Sequence, residues 1–218
     1  MKGDKIKVNL LGARMIPQVS DDLKERLNLR PEEKSVGILT SDCDDACYAA
    51  IDAATKTTPV RVVYSRSMYA GSSNASTALA GEWIGILAAA TPADVRAGME
   101  ATAAYLNEEC CFESANDEDS IVFFAHCISR SGTYLSEQCG LPAGAPLAYV
   151  IAPPMEAMLG LDAALKAADV KLVQFYGPPS ETNFAGGLMT GEQADCKAAC
   201  EAFRTAVIDA ADDPDSMR

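Results

Sequence analysis

Eight cysteines, one histidine and a few carboxylates at the starts of expected helices and strands are the side chains best able to do chemistry. The cysteines stand at 43, 47, 110, 111, 127, 139, 196 and 200. Cys43 and Cys47, like Cys196 and Cys200, are one helical turn apart, and Cys110 and Cys111 are adjacent. None forms a CxxC pair, so the spacing that structural zinc requires is missing and no metal site is expected. The thiols read instead as small buried apolar groups in a chain too large to need disulfide staples. His126 is the only histidine, so a hydrolase of the Ser-His-Asp or Cys-His kind would depend on it as base. Neither GxGxxG nor GxxxxGK[ST] occurs, and Gly186-Gly187 reads as a close backbone approach or a turn. No cofactor and no catalytic residue is expected; the chain does not read as an enzyme.

The carboxylates are more suggestive. Asp44 and Asp45 open an expected helix, Glu82 precedes an expected strand, and Glu156 stands at a second helix start. Together they suit a small cation. Acids in a first helical turn are equally what the helix macrodipole favours without any ligand, so both readings stand at this point.

The elements that position these groups come from composition and from an internal repeat. The 218 residues carry 18 basic and 31 acidic side chains, a formal charge of −13, with 49% hydrophobic residues. That is globular composition. A strongly acidic chain without a Lys/Arg cluster is not expected to bind nucleic acid. The longest apolar run, 83–90, is far short of the ~20 residues a membrane helix needs. Charges at Lys2, Asp4, Lys5 and Lys7 interrupt any signal-peptide core, so a cytoplasmic chain is expected.

Residues 52–63 (DAATKTTPVRVV) match 162–173 (DAALKAADVKLV) at an offset of 110, with six of twelve identical. Residues 94–101 (DVRAGMEA) match 195–202 (DCKAACEA) at an offset of 101. The difference, 110 − 101 = 9, is a longer loop in the first half, within the Ser/Gly/Ala/Asn-rich stretch 66–80. Pro31 and Pro142 correspond at an offset of 111. Three matches in order indicate a duplication, and the division is expected at 1–113 and 114–218. Each half reads as strand, helix, strand, strand, helix: 36–40, 44–57, 60–64, 83–90 and 92–107, then 147–151, 154–169, 170–176, 185–189 and 191–211. An extra strand precedes each, at 7–16 and 120–128. Thr91 and Thr190 each stand three residues before an acid or amide and are expected to cap the last helices, with Pro92 at a first helical position. The expected class is α/β, more narrowly α+β of ferredoxin-like type, twice in one chain.

The repeated helix-to-strand strings resemble bacterial microcompartment shell domains. Segments 41–45 (SDCDD), 63–71 (VYSRSMYAG), 115–117 (AND), 152–156 (APPME) and 178–183 (PPSETN) resemble, in order and spacing, the L-type shell proteins of ethanolamine-utilisation compartments. The resemblance spans nearly the whole chain. Trp83, at a usually aliphatic strand position, and Cys47, Cys110 and Cys111 depart from it.

The resemblance implies two tandem, circularly permuted shell domains. It further implies a homotrimer that tiles with other shell proteins around a compartment, with a gated central pore and small acidic pockets. By the same resemblance, Asp45, Glu82, Phe112, Thr182 and Asn183 contact ethanolamine, and Asp44, Asp45 and Glu156 line a small pore. Ser67, Tyr69, Gly71, Asn74 and Phe184 belong to the central-pore loops, and Lys56 and Lys166 to the lattice edge. Plain readings stand beside these: Phe112 as core, Thr182-Asn183 as turn residues, 66–80 as a surface loop, and both lysines as solvated helix ends. A soluble metabolite-binding regulator built from duplicated ferredoxin-like domains is the alternative function.

Overall fold

The computed structural model describes residues 1–68, 77, 79–178, 180 and 182–215. The chain forms two compact units, each drawing on segments distant in sequence. One comprises Val8–Cys110 and Gly132–Glu137; the other comprises Met1–Lys7, Cys111–Ser131 and Gln138–Arg218. The even division at 113 and 114 does not capture this, because the N-terminal heptapeptide and a six-residue piece of the second half are exchanged.

In the first unit β2 (Leu10–Ile16), β3 (Ser35–Ser41), β4 (Arg61–Ser67) and β5 (Trp83–Ala89) form an antiparallel sheet in the order β2-β3-β5-β4. Both sides of β3 and β5 are covered, so they read as unbroken apolar runs rather than alternating ones. Helices α2 (Asp45–Thr57) and α3 (Pro92–Glu108) pack on each other and on the sheet. Val19, Val36, Ile86 and Ala88 gather a further cluster with Ile16, Leu27 and Leu29. Thr91 caps α3 as expected: its hydroxyl oxygen accepts the Asp94 N–H at 3.2 Å and donates to the Asp94 carboxylate at 2.6 Å.

The second unit has a six-stranded antiparallel sheet, β1 (Lys5–Ile6), β6 (Phe112–Ser114), β7 (Val122–Ile128), β8 (Leu147–Ala152), β10 (Ala185–Thr190) and β9 (Lys171–Tyr176), in that order. Helices α5 (Pro154–Ala167) and α6 (Gln193–Asp212) pack on it around Phe123, Val150, Leu161, Met189, Phe203 and Val207. Burying side chains of this size contributes roughly 1.5–3 kcal/mol each. The duplication extends to irregularities. The β4/β5 register skips Val63 and the β9/β10 register skips Val173, its repeat mate. Gly186 and Gly187 are a close backbone approach: a Cβ on either would lie 2.0 Å from the Val150 carbonyl oxygen or 2.3 Å from that of Gln174.

One capping expectation fails. Thr190 is the last residue of β10, and its hydroxyl donates to the Pro146 carbonyl at 2.8 Å, so α6 starts beyond it, at Gln193, with no side-chain cap. The expected strand 7–16 begins only at Leu10, after Asn9 binds the Asp42 carboxylate through both its backbone and side-chain N–H, and a separate two-residue strand, β1, precedes it in the other sheet.

Glu33 ties the β2–β3 connection to β4. Its carboxylate accepts from Arg61 Nε at 2.8 Å and Nη2 at 2.5 Å and from the Arg30 N–H at 2.7 Å. Arg61 also donates to the carbonyl of Asn28, which holds a left-handed φ of 52°. Burial raises the Glu33 pKa, but the Arg61 and Arg30 hydrogen bonds more than offset it and leave it below the usual glutamate value. A depressed folded-state pKa contributes stability above the unfolded value of 4.5 that disappears as pH falls through the lower folded value. Glu33→Gln is therefore expected to cost about 1–3 kcal/mol at pH 7 in urea unfolding. The gap from wild type should close as pH drops below the glutamate range; a pH-independent gap would contradict the pairing.

Candidate functional site

The turn from β3 into α2 places the first unit's acidic residues. Ser41 ends β3; its hydroxyl donates to the Cys43 carbonyl, and its own carbonyl accepts the Glu82 N–H at 2.8 Å. The Glu82 carbonyl in turn accepts the N–H of Met68 at 2.7 Å, which holds Glu82 beside the ends of both β3 and β4. Asp44 and Asp45 follow directly at the start of α2 and are 6% and 7% exposed. The three expected acids Asp44, Asp45 and Glu82 thus converge at one end of the four-stranded sheet. Their convergence shows in the Cys43 thiol, which burial and then the negative charges of Asp44, Asp45 and Glu82 push well above its ordinary value.

A hydrogen-bonded chain braces this cluster. The Asp44 carboxylate accepts the Asp45 N–H at 2.9 Å and the Ser67 hydroxyl at 2.6 Å. Tyr48, one turn along α2, shares a 2.7 Å hydrogen bond with Ser67, and its ring meets Trp83 edge-on at 6.4 Å and stacks on Tyr134 at 6.3 Å. Trp83 is fully buried and donates its indole N–H to Ser65 at 2.9 Å. Burial holds the Cys47 thiol protonated, against a hydrogen bond to Ser41. The cysteines among the described residues are free thiols, and no group of three His, Cys, Asp or Glu among those residues is placed to hold a metal ion.

In the second unit, Phe112 is buried in β6, 5.3 Å from Phe124 and 6.3 Å edge-on from Phe184 between ring centroids. Thr182 is half-buried and Asn183 exposed in the β9–β10 turn, where Asn183 adopts a left-handed φ of 64° and its N–H binds the Ser180 carbonyl. The turn reading of this pair is therefore satisfied in its own right. Glu156 is buried in the first turn of α5. Lys56 is exposed with its Nζ 5.4 Å from the centroid of the Tyr105 ring, and Lys166 pairs with Asp162 at 2.5 Å. Of the expected pore-loop residues, Ser67 is the end of β4, tied to Asp44, and Phe184 packs on Phe112. Tyr69, Gly71 and Asn74 lie outside the described residues. Sequence reasoning misses the bracing roles of Ser67, Tyr48 and Tyr134; only the aromatic at 48, one turn after the acid pair, hints at them.

The model of the BMC domain matches residues 35–116. The chain is 54% identical over 214 residues to the bacterial microcompartment shell protein EutL of Clostridium perfringens, covering 98% of this chain and 99% of that one. It belongs to the EutL family of bacterial microcompartment shell proteins. The crystal structure of the ethanolamine utilization protein EutL from Leptotrichia buccalis superposes with a TM-score of 0.97 at 58% identity, covering 99% of this chain and 100% of that one. The trimeric shell protein PduB shares the fold, with a TM-score of 0.75 at 18% identity over 95% of this chain and 94% of its own. The two units are thus tandem permuted BMC domains. The chain is a structural shell component rather than an enzyme, and no helix among its described residues is long and apolar enough to cross a membrane.

Asp44 has a structural duty separable from any ligand. Asp44→Ala removes both the α2 contact and the Ser67 acceptor and is expected to cost about 1–2 kcal/mol in urea unfolding. Asp44→Asn, which keeps an acceptor oxygen, should recover most of it. Equal stability of the alanine variant and wild type would contradict this role.

Proposed function

We propose that the chain is a tile of an ethanolamine-utilisation microcompartment shell, with three copies closing a pseudohexamer around a gated central pore. The observation that carries this reading is the near-full-length identity to proteins named for that role. Two BMC units per chain suit it, because six similar units around one axis tile hexagonally while the halves remain free to differ. The longer 66–80 loop and the 178–187 loop, with Ser67, Tyr69, Gly71, Asn74 and Phe184, line and gate the pore. Lys56 and Lys166 lie at the edges where tiles meet other shell proteins.

Small acidic pockets pass or bind ethanolamine. In the first unit Asp45 and Glu82 present carboxylates to its ammonium group and Asp44 lines the passage; in the second unit Phe112, Thr182 and Asn183 are the candidate contacts and Glu156 the candidate pore-lining acid. The supporting observation is the placement of Asp44, Asp45 and Glu82 at one end of the sheet, with Asp44 and Asp45 buried and Asp44 braced by Ser67, where a cation is attracted more strongly than at an open surface. A ligand biases the pore loops only as far as it binds one loop state better than the other.

Light scattering is expected to give three times the chain mass of 23.0 kDa. Calorimetry should show ethanolamine binding at least tenfold weaker in Asp45→Asn and Glu82→Gln than in wild type. A dimer with saturable metabolite binding would favour a regulator, and unchanged affinity in both variants would remove the acidic site.

A further inference from the structure

Three of the thiols converge in one layer of the second unit. Cys127 lies on β7 directly across from Ala148 of β8. Its side chain is on the helical side of the sheet, with Phe123 and Ala125 at two-residue spacing. Its Sγ lies 3.9 Å from the Gln193 carbonyl, in the first turn of α6. One and two turns along, Cys196 and Cys200 belong to the core between α6 and the sheet. Cys196 Sγ is 3.9 Å from the Gly191 carbonyl and also meets the main chain of Ala148. Ala148 is thus the common neighbour of the Cys127 and Cys196 thiols, and cross-strand partners sit only about 5 Å apart.

The first unit fills the same layer without a thiol. Met15 stands across from Gly37 as Cys127 stands across from Ala148. Val95 and Met99 match Cys196 and Cys200 at the offset of 101. A Cβ on Gly37 would lie 2.5 Å from Met99 Sδ and 2.8 Å from Val95 Cγ1, so these side chains press on the strand as the thiols do at Ala148. Two methionines and a valine satisfy the packing there, and three thiols add a chemistry that this packing does not need. Access is uneven: Cys127 is half-buried, whereas Cys196 and Cys200 are 0% and 5% exposed. A dissolved reagent therefore meets Cys127 first.

We propose that Cys127 and Cys196 are a redox-responsive pair that closes a disulfide between β7 and α6, with a small dissolved disulfide such as oxidised glutathione as the oxidant. The Cys127 thiolate attacks one sulfur of the reagent, whose S–S bond breaks and releases one thiolate. The Cys196 thiolate then attacks Cys127 Sγ and displaces the second. Two protein thiols are oxidised, and the reagent leaves as two thiols carrying the two protons the cysteines gave up. Cys196 rather than Cys200 is the partner, because it shares Ala148 with Cys127. Burial raises the pKa of both, with Cys196 pushed up to about 11. Both are protonated at neutral pH, so the exchange is slow there and accelerates as pH rises. The closed bridge spans 196 − 127 = 69 positions and withdraws freedom from the unfolded chain, so the oxidised second unit resists unfolding more than the reduced one.

The test incubates the full chain with oxidised glutathione, blocks remaining thiols by alkylation and maps peptides by mass spectrometry. A Cys127–Cys196 cross-linked peptide is expected, forming at least about tenfold faster near pH 8.5 than near pH 7. It should raise the thermal midpoint by at least about 5 °C, and dithiothreitol should reverse both changes. Cys127→Ser and Cys196→Ala should each abolish the peptide and the gain in midpoint, while Cys200→Ala keeps both; circular dichroism checks that each variant folds. The wild-type peptide map decides the matter even if a variant fails to fold. A glutathione adduct on Cys127 that never resolves, a Cys127–Cys200 bridge, or unreacted Cys127 and Cys196 near pH 8.5 would each overturn the pairing.

Discussion

The buried carboxylate of Asp52 is the contact on which the first unit depends. It is fully buried, and burial raises its pKa against the opposing pull of the Leu135 and Gly132 N–H groups and the Lys56 charge. Its two short hydrogen bonds hold a piece of the second half of the sequence inside the first unit. Gly132 is required there, since a Cβ would lie 2.2 Å from the Thr55 hydroxyl and 2.4 Å from the Asp52 carbonyl oxygen. With that segment in place Tyr134 lies on Tyr48, Tyr48 meets Ser67, and Ser67 fixes the Asp44 carboxylate. The acidic cluster is thus braced from a residue two turns down the same helix. Removing an acceptor from buried donors is far more costly than adding one at a surface, which is why this pair of bonds outweighs the exposed ion pairs elsewhere.

Duplication supplied the parts and divergence assigned them. Asp52 and Asp162, like Lys56 and Lys166, occupy matching positions in matching helices. In the second half the acid and lysine simply pair on the surface. In the first the acid is turned to the main chain, and the lysine lies over Tyr105. The shared β-bulges at Val63 and Val173 show how much backbone detail survived while side-chain duties changed.

Long apolar runs and Ala-rich helical stretches were legible because burial imposes them. The strands through Val36, Leu147, Trp83 and Ala185 and the four long helices lie where periodicity puts them, within a few residues. The short helices α1 (Asp21–Arg26) and α4 (Thr133–Cys139) and strand β6 were not, since none carries a period long enough to read. Thr190 misled because a threonine before an amide caps a helix only if its hydroxyl is free, and Pro146 takes it. In the candidate site, Asp44, Asp45 and Glu82 were legible one by one as acids at element ends, and only the family resemblance grouped them. The part played by Asp52 did not, because its partners lie 80 and 83 residues away. A repeat shows that two aspartates correspond; it does not show which of them is buried.

The most direct measurement is native-state amide exchange on wild type and Asp52→Ala, read at Gly132 and Leu135. Strong protection of both amides in wild type is expected. The variant should lose it at least a hundredfold, with stability lower by about 3 kcal/mol. Asp162→Ala should leave both amides protected. Undiminished protection at Gly132 and Leu135 in Asp52→Ala would contradict the account at its centre.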